Sequence, residues 1–269
     1  MSDLQNVLDA AERHLLALKA AGVRFLPVQP ETLSQLREPP PILETQTGSR
    51  SESPPALPPQ PPGDVETAMT ALRQRASACL KCPHLVKTRK NVVFGVGDIH
   101  ARLMFVGEAP GADEDAQGEP FVGAAGKLLT RIIQAMELSR ETVYIANILK
   151  CRPDTPGQSA GNRKPTAGEM KTCLPWLLEQ IDLIQPGVLV ALGATAIEGL
   201  LGAAGPIGKL RGKFQTFRGI PLMPTFHPAY LLRNQAPSEK RKVWEDMLQV
   251  MEKLQMPVTE KQRGYFLKA

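Results

Sequence analysis

Three features of the sequence predict an α/β fold on a mostly parallel, four-stranded sheet, preceded by an N-terminal helix on a Pro-rich linker. Four apolar runs of strand length alternate with segments of helical periodicity, as in a parallel sheet covered on both faces. A proline-dense stretch divides the chain, with 11 of its 25 prolines inside residues 27–63. No apolar run approaches the roughly 18 residues of a membrane span, and the N-terminus lacks the basic start and apolar stretch of a secretory signal. A soluble, cytoplasmic protein is expected.

The elements follow in order. Residues 2–21 carry a capping box at Ser2-x-x-Gln5 and an apolar stripe through Leu4, Val7, Leu8, Ala11, Leu15 and Leu18, so residues 1–26 are an amphipathic helical segment. Residues 27–63 include Pro54-Pro55-Ala56-Leu57-Pro58-Pro59-Gln60-Pro61-Pro62, which cannot donate a hydrogen-bond ladder, and form an extended linker. Residues 64–269 are the globular body. A helix capped by Asp64 leads to Cys79. Leu103 to Val106 is a strand, Lys127 to Leu138 a helix, and Val143 to Leu149 a second strand. Thr166-x-x-Glu169 caps a helix towards Ile184, in which Pro175 requires a position near the start or a kink. Val188 to Leu192 and Ile220 to Met223 complete the sheet; Ala194 to Leu201 and Ser238 to Leu254 are helices.

The net charge is +5, made of −2 in residues 1–63 and +7 in the body. A moderately basic body suits a polyanionic partner as well as ordinary solubility. The four cysteines, Cys79, Cys82, Cys151 and Cys173, are too sparse for a secreted disulfide framework. A C-x-x-C pair with two further thiols suits a metal or iron–sulfur centre, and thiolates serve zinc and iron alike.

Ligands of such sheets collect beyond the carboxyl ends of the strands. Three loops leave strand ends here: Gly107-Glu108-Ala109-Pro110-Gly111, Asn147 to Pro153, and Thr225-Phe226-His227-Pro228-Ala229. A carboxylate, an amide and an imidazole are thus expected on one rim. The acidic stretch from Gly111 to Gly123 holds Asp113, Glu114 and Asp115, which invite Mg²⁺ in a second reading, a metal-dependent nuclease or polymerase-associated enzyme. A third reading is a non-catalytic Cys₄ module that binds nucleic acid through a basic face. No G-x-x-x-x-G-K-[ST] loop is present, so nucleotide hydrolysis lacks its cradle.

Taken together, Cys79-x-x-Cys82, the 107–111 loop, Gln117-Gly118-Glu119-Pro120-Phe121-Val122-Gly123, Asn147-Ile148-Leu149-Lys150-Cys151-Arg152-Pro153 and His227-Pro228-Ala229 resemble the motifs of family 4 uracil-DNA glycosylases. The likeness spans about residues 65–255 in order and spacing. It implies a three-layer α/β/α fold and a [4Fe–4S] cluster on Cys79, Cys82, Cys151 and Cys173, with structural zinc as the alternative. The 21 residues between Cys151 and Cys173 exceed the family's usual spacing. The excess, around Thr155 to Lys164, reads as a loop insertion.

Under the resemblance, Phe121 stacks on an extruded uracil, Asn147 reads its edge, and Ala109 belongs to the same binding loop. His227 donates to the departing base and Glu108 orients water or offsets positive charge on the sugar. No lysine of the three loops is placed as a nucleophile, so a monofunctional hydrolase leaving an abasic site is expected. Leu231 and Leu232 are candidate wedges into DNA, with Arg233 beside them. Basic groups at Lys87, Arg89 and Lys90, at Lys209, Arg211 and Lys213, and at Lys240, Arg241 and Lys242 are further candidates for phosphate contact. The partner is uracil-containing DNA, single- or double-stranded. The chain is expected to be a monomer, and residues 1–26 a tether for a protein partner.

Overall fold

The computed structural model describes residues 62–155, 158–202 and 205–267, so the helix expected over 2–21 and nearly all of the linker lie outside the described residues. The sheet grows from strand β2 (Leu103–Gly107), whose five residues are all buried. It pairs in parallel with β3 (Tyr144–Asn147) on one side and β6 (Val188–Leu192) on the other, and β6 pairs in parallel with β8 (Ile220–Thr225). These are the four strands expected from sequence. Two short strands enlarge the sheet to six: β1 (Val96–Gly97) lies antiparallel on β3, and β7 (Gln215–Phe217) antiparallel on β8.

Alternation sorts the side chains onto two faces. Phe105, Ile145, Val190 and Met223 share one face, under α4 (Ala124–Ala135) and α9 (Pro237–Lys253). Met104, Val106, Tyr144, Leu189 and Leu222 share the other, under α1 (Pro62–Ser77), α5 (Ala167–Ile184) and α6 (Ala194–Leu201). Each central strand is buried on both sides, which is why its sequence is a continuous apolar run. The result is a three-layer α/β/α sandwich.

Several boundaries differ from the sequence reading. The second strand ends at Asn147 instead of Leu149, and the helix expected over Lys127 to Leu138 runs from Ala124 to Ala135. Helix α1 already begins at Pro62, because proline suits a first turn, and Asp64 lies inside the helix instead of capping it. Pro175 sits in the middle of α5, where it and Lys171 are both exposed, so the carbonyl that loses its donor lies on the water side. The excess residues before Lys164 form a two-stranded hairpin, β4 (Asp154–Thr155) with β5 (Gln158–Asn162), instead of an irregular loop.

Candidate active site

The register that makes the sheet also makes the site. Gly107 pairs with Asn147 at the ends of β2 and β3, and Thr225 ends β8. The three following loops therefore open at one edge, around a cavity of about 410 Å³. Glu108, Phe121, Asn147, His227 and Arg233 all border it, as does Ala109.

Gly107 shows how closely the pieces meet. A Cβ there would stand 2.4 Å from Asn147 Oδ1 and 2.5 Å from Phe121 Cζ, so only glycine lets both side chains reach this point. The Phe121 and His227 rings stack at 5.6 Å between centroids and 30° between planes. Asn147 is 2% exposed, and its Oδ1 is a buried side-chain atom without a hydrogen-bond partner. A buried acceptor left unpaired costs about 1–3 kcal/mol, a penalty that a donor in the cavity would remove.

His227 caps the short helix α8 (Pro228–Arg233), its Nδ1 accepting from the Ala229 N–H at 3.1 Å. The ring proton then resides on Nε2, which becomes a donor. Burial pushes the imidazole down to about 4; nearby Arg233 pushes the same way and Glu114 opposes. The group is a neutral donor across the physiological range.

The Phe121 ring is held by Arg140, which the sequence did not mark, and by Glu114, which it marked for another role. Phe121 has φ 55°, a left-handed backbone that costs a bulky residue about 1–3 kcal/mol. Arg140 grips this turn, donating to the carbonyls of Phe121 at 3.0 Å and Pro120 at 2.8 Å. Glu114 grips it from the other side, accepting from the N–H groups of Val122 and Gly123, each at 3.0 Å. The same carboxylate accepts from Gly111 N at 3.0 Å and so joins the Phe121 turn to the loop after β2.

The expected Mg²⁺ ligands are thereby corrected. Asp113, Glu114 and Asp115 lie in helix α3 (Ala112–Gln117), with Glu114 spent on backbone amides. Asp115 is 2% exposed and accepts from the N–H groups of Lys90 and Asn91. Among the described residues, no three His, Cys, Asp or Glu side chains are placed to hold one metal ion.

All four cysteines border a second, smaller cavity, together with Leu85, Arg89 and Trp176. None of the four is in a disulfide. Arg89 donates to Cys151 Sγ at 3.1 Å and to the Cys79 carbonyl at 2.9 Å, and Lys150 N donates to Cys173 Sγ at 3.2 Å. Burial pushes the Cys173 thiol up to about 12, and burial also raises Cys82 and Cys151. Neighbouring thiolates add to each of these shifts, so a positive centre between the sulfurs is what would make this group stable as anions.

The DNA-facing candidates divide. Leu231 is 4% exposed and packs with Phe226 and Val243, so it belongs to the interior and is corrected as a wedge. Leu232 is half-buried, and Arg233 is exposed at the cavity mouth. Several basic residues are occupied within the fold. Arg211 pairs with buried Asp246 at 2.6 Å, Lys242 with Glu239 at 2.7 Å, and Arg241 with Glu245 at 2.9 Å. Lys87, Lys90, Lys209 and Lys213 are exposed. Arg163, absent from the sequence-based candidates, also borders the cavity, its guanidinium donating to both oxygens of Glu169. No helix among the described residues is long and apolar enough to cross a membrane.

Residues 94–248 match the model of the Uracil DNA glycosylase superfamily. The chain is 45% identical over 185 residues to a type-4 uracil-DNA glycosylase of Thermotoga maritima, covering 68% of this chain and 92% of that one. It is 44% identical over 191 residues to the type-4 enzyme of Saccharolobus solfataricus, covering 67% and 84%. A type-5 uracil-DNA glycosylase of Thermus thermophilus is 31% identical over 162 residues, covering 49% of this chain and 71% of its own length. The match spans the sheet, all three strand-exit loops and most of the covering helices, so the chain belongs to the type-4 uracil-DNA glycosylases of the Uracil DNA glycosylase superfamily.

Proposed function

We propose that this chain flips uracil out of DNA and hydrolyses its N-glycosidic bond, leaving an abasic site. The observation that carries the reading is the Asn147 amide, buried and short of a partner at Oδ1, beside an aromatic ring and a neutral imidazole in one cavity. Uracil offers a donor at N3–H and an acceptor at O4, which one carboxamide satisfies together. Cytosine offers an acceptor and a donor at the same places and leaves both pairs mismatched. An unmade buried hydrogen bond costs about 1–3 kcal/mol, so an amide held in this orientation discriminates against cytosine.

Bond cleavage sends an electron pair to uracil and leaves positive charge on the sugar. The Nε2–H of His227 stabilises the anion developing at O2 as a neutral hydrogen-bond donor. Glu108, at the same rim, orients water or faces the positive sugar. Phe121 supplies the surface on which the extruded base stacks. The half-buried Leu232 and exposed Arg233 meet the strand at the mouth.

Cys79, Cys82, Cys151 and Cys173 would hold a [4Fe–4S] cluster, which when bound cross-links three separate segments and leaves hydrolysis to the other cavity. Four thiols around a shared space suit zinc and iron–sulfur alike; the kinship with type-4 uracil-DNA glycosylases is what favours the cluster. The reading extends to a monomeric cytoplasmic enzyme with its catalytic domain over 64–269, a linker over 27–63, and residues 1–26 as a tether to a protein partner. The test is incubation with a uracil-containing oligonucleotide in EDTA, then alkaline cleavage at abasic sites. Wild-type protein is expected to cut the strand at the uracil, and Asn147→Ala to do so about 10–100-fold more slowly. Dependence on added Mg²⁺ would overturn the reading.

A further inference from the structure

Lys150 lies between the two cavities and lines neither. It is 1% exposed, yet each of its polar groups is engaged. Its N–H donates to Cys173 Sγ at 3.2 Å, and its carbonyl accepts from Val93 N at 2.8 Å. Its Nζ donates to the Asn147 carbonyl at 3.1 Å and to Gln180 Oε1 at 2.6 Å. Gln180 is itself fully buried and fixed by donating to the Phe94 carbonyl and the Tyr144 hydroxyl, each at 3.0 Å. The ammonium also stands 5.9 Å from the centre of the Phe94 ring.

None of these acceptors carries a charge. A buried ammonium among neutral partners is expensive unless negative charge lies close by. Burial pushes the Lys150 amine down to about 7 and the neighbouring Cys173 sulfur opposes that shift; the acceptors that Nζ meets are the Asn147 carbonyl and Gln180 Oε1, neither a carboxylate. Bound on these four cysteines, a cluster with its thiolates would be anionic as a whole and would supply what the neutral acceptors do not.

We infer that Lys150 is a positioning residue that couples the thiol centre to the base-reading amide. The anionic centre keeps the ammonium in the interior, and the ammonium holds the carbonyl of Asn147. The Asn147 side chain therefore keeps its aim at the base while the centre is intact. This inference rests on the uracil-excision reading and on the cluster that accompanies it.

The experiment uses the full chain, purified without oxygen, as wild type and as Lys150→Met, which keeps an unbranched side chain one atom shorter and removes its charge and donors. Iron content, the cluster's reduction potential, single-turnover uracil release and affinity for abasic DNA are measured on both. Lys150→Met is expected to retain its iron and to show a lower potential, because a nearby cation favours the reduced cluster. Its single-turnover rate is expected to fall about 10–100-fold, the usual cost of losing a supporting partner, with affinity for abasic DNA near that of wild type. A rate within about twofold of wild type overturns the coupling whatever the potential does. A lost rate with an unmoved potential overturns the charge half of it. If Lys150→Met does not accumulate as folded protein, Gln180→Met, which removes one acceptor of Nζ but leaves its charge, is read by its rate and its affinity for abasic DNA; a full rate there overturns the inference. Wild-type protein that releases no uracil overturns the functional reading instead, so the two failures are distinct.

Discussion

The cavity at the strand ends and the thiol cavity stand at the two ends of one five-residue segment, Asn147 to Cys151, and their polar atoms are treated in opposite ways. At the Asn147 end, Oδ1 is buried without a partner, and His227 spends one ring nitrogen on its own helix while the other is left as a donor. At the Cys151 end, neighbours within the fold reach two of the sulfurs: Arg89 donates to Cys151 and the Lys150 amide to Cys173. A site that must recognise something keeps hydrogen-bonding capacity unspent. A site that holds the chain together consumes it.

The comparison is broken most sharply by His227→Ala. If the imidazole serves the reaction alone, its loss lowers the single-turnover rate of uracil release by about 10²–10³-fold, as for other donors to a developing anion. The melting temperature should barely move, since the helix cap that it supplies is one bond on a short helix. Cys173→Ser should behave the other way, lowering the melting temperature and iron content before it alters the rate per folded molecule. A large loss of stability in His227→Ala would place that residue with the builders.

Arg140→Ala sharpens the boundary between the two kinds of residue. It touches no part of the cavity, but its guanidinium holds the carbonyls on either side of a left-handed Phe121. Released, that turn can relax by about 1–3 kcal/mol, and the ring leaves its place against His227. The expected result is a rate about tenfold lower, within the range that this energy allows. Stopped-flow measurement of base release against DNA affinity checks it; an unchanged rate would mean that Glu114 alone fixes the turn. Leu231→Ala has a smaller and different signature. It should cost about 2–4 kcal/mol of stability by leaving a cavity beside Phe226 and Val243, while Leu232→Ala leaves stability nearly intact and weakens excision from duplex DNA.

The parts that could be read from sequence are those in which one residue type at one spacing has one physical outcome. The apolar runs from Leu103 and Val188 are strands because both faces are covered, and Thr166 with Glu169 forms the capping box that its spacing implies. Asn147 and His227 were visible because they follow strand ends, and strand ends share an edge. What escaped depends on partners far apart in the chain. Strands β1 and β7 have two and three residues, too few to show alternation. Arg140 acts on carbonyls about 20 residues away, and backbone carbonyls leave no trace in sequence. Glu114 looked like a metal ligand because a carboxylate's charge is legible and its hydrogen bonds to amides are not. Leu231 and Leu232 are adjacent and chemically identical; only the turn of helix α8 sends one inward and leaves the other half-exposed.

The smallest expected effect is a flat one, in the pH dependence. An ordinary histidine titrates near 6.5, so a site that relied on an exposed imidazole would show a break there. Burial holds His227 down to about 4. The rate of uracil release should therefore show no inflection from this group between about pH 5.5 and 8. Stability follows with a definite sign. Between the folded value of about 4 and the unfolded value of 6.5, the unfolded chain binds the proton that the folded chain refuses. The contribution of His227 is fully present above about 6.5 and is lost as the pH falls through that window. In His227→Gln that part of the pH dependence should vanish, because the amide does not titrate. Chemical denaturation of both proteins at pH 7 and pH 5 reads the difference directly: wild type should lose more stability than the variant on acidification. Equal losses would mean that the imidazole is already charged in the folded protein. It would then meet the departing base as a cation, and the free donor that sets the base cavity apart from the thiol cavity would be an ion in need of its own partner.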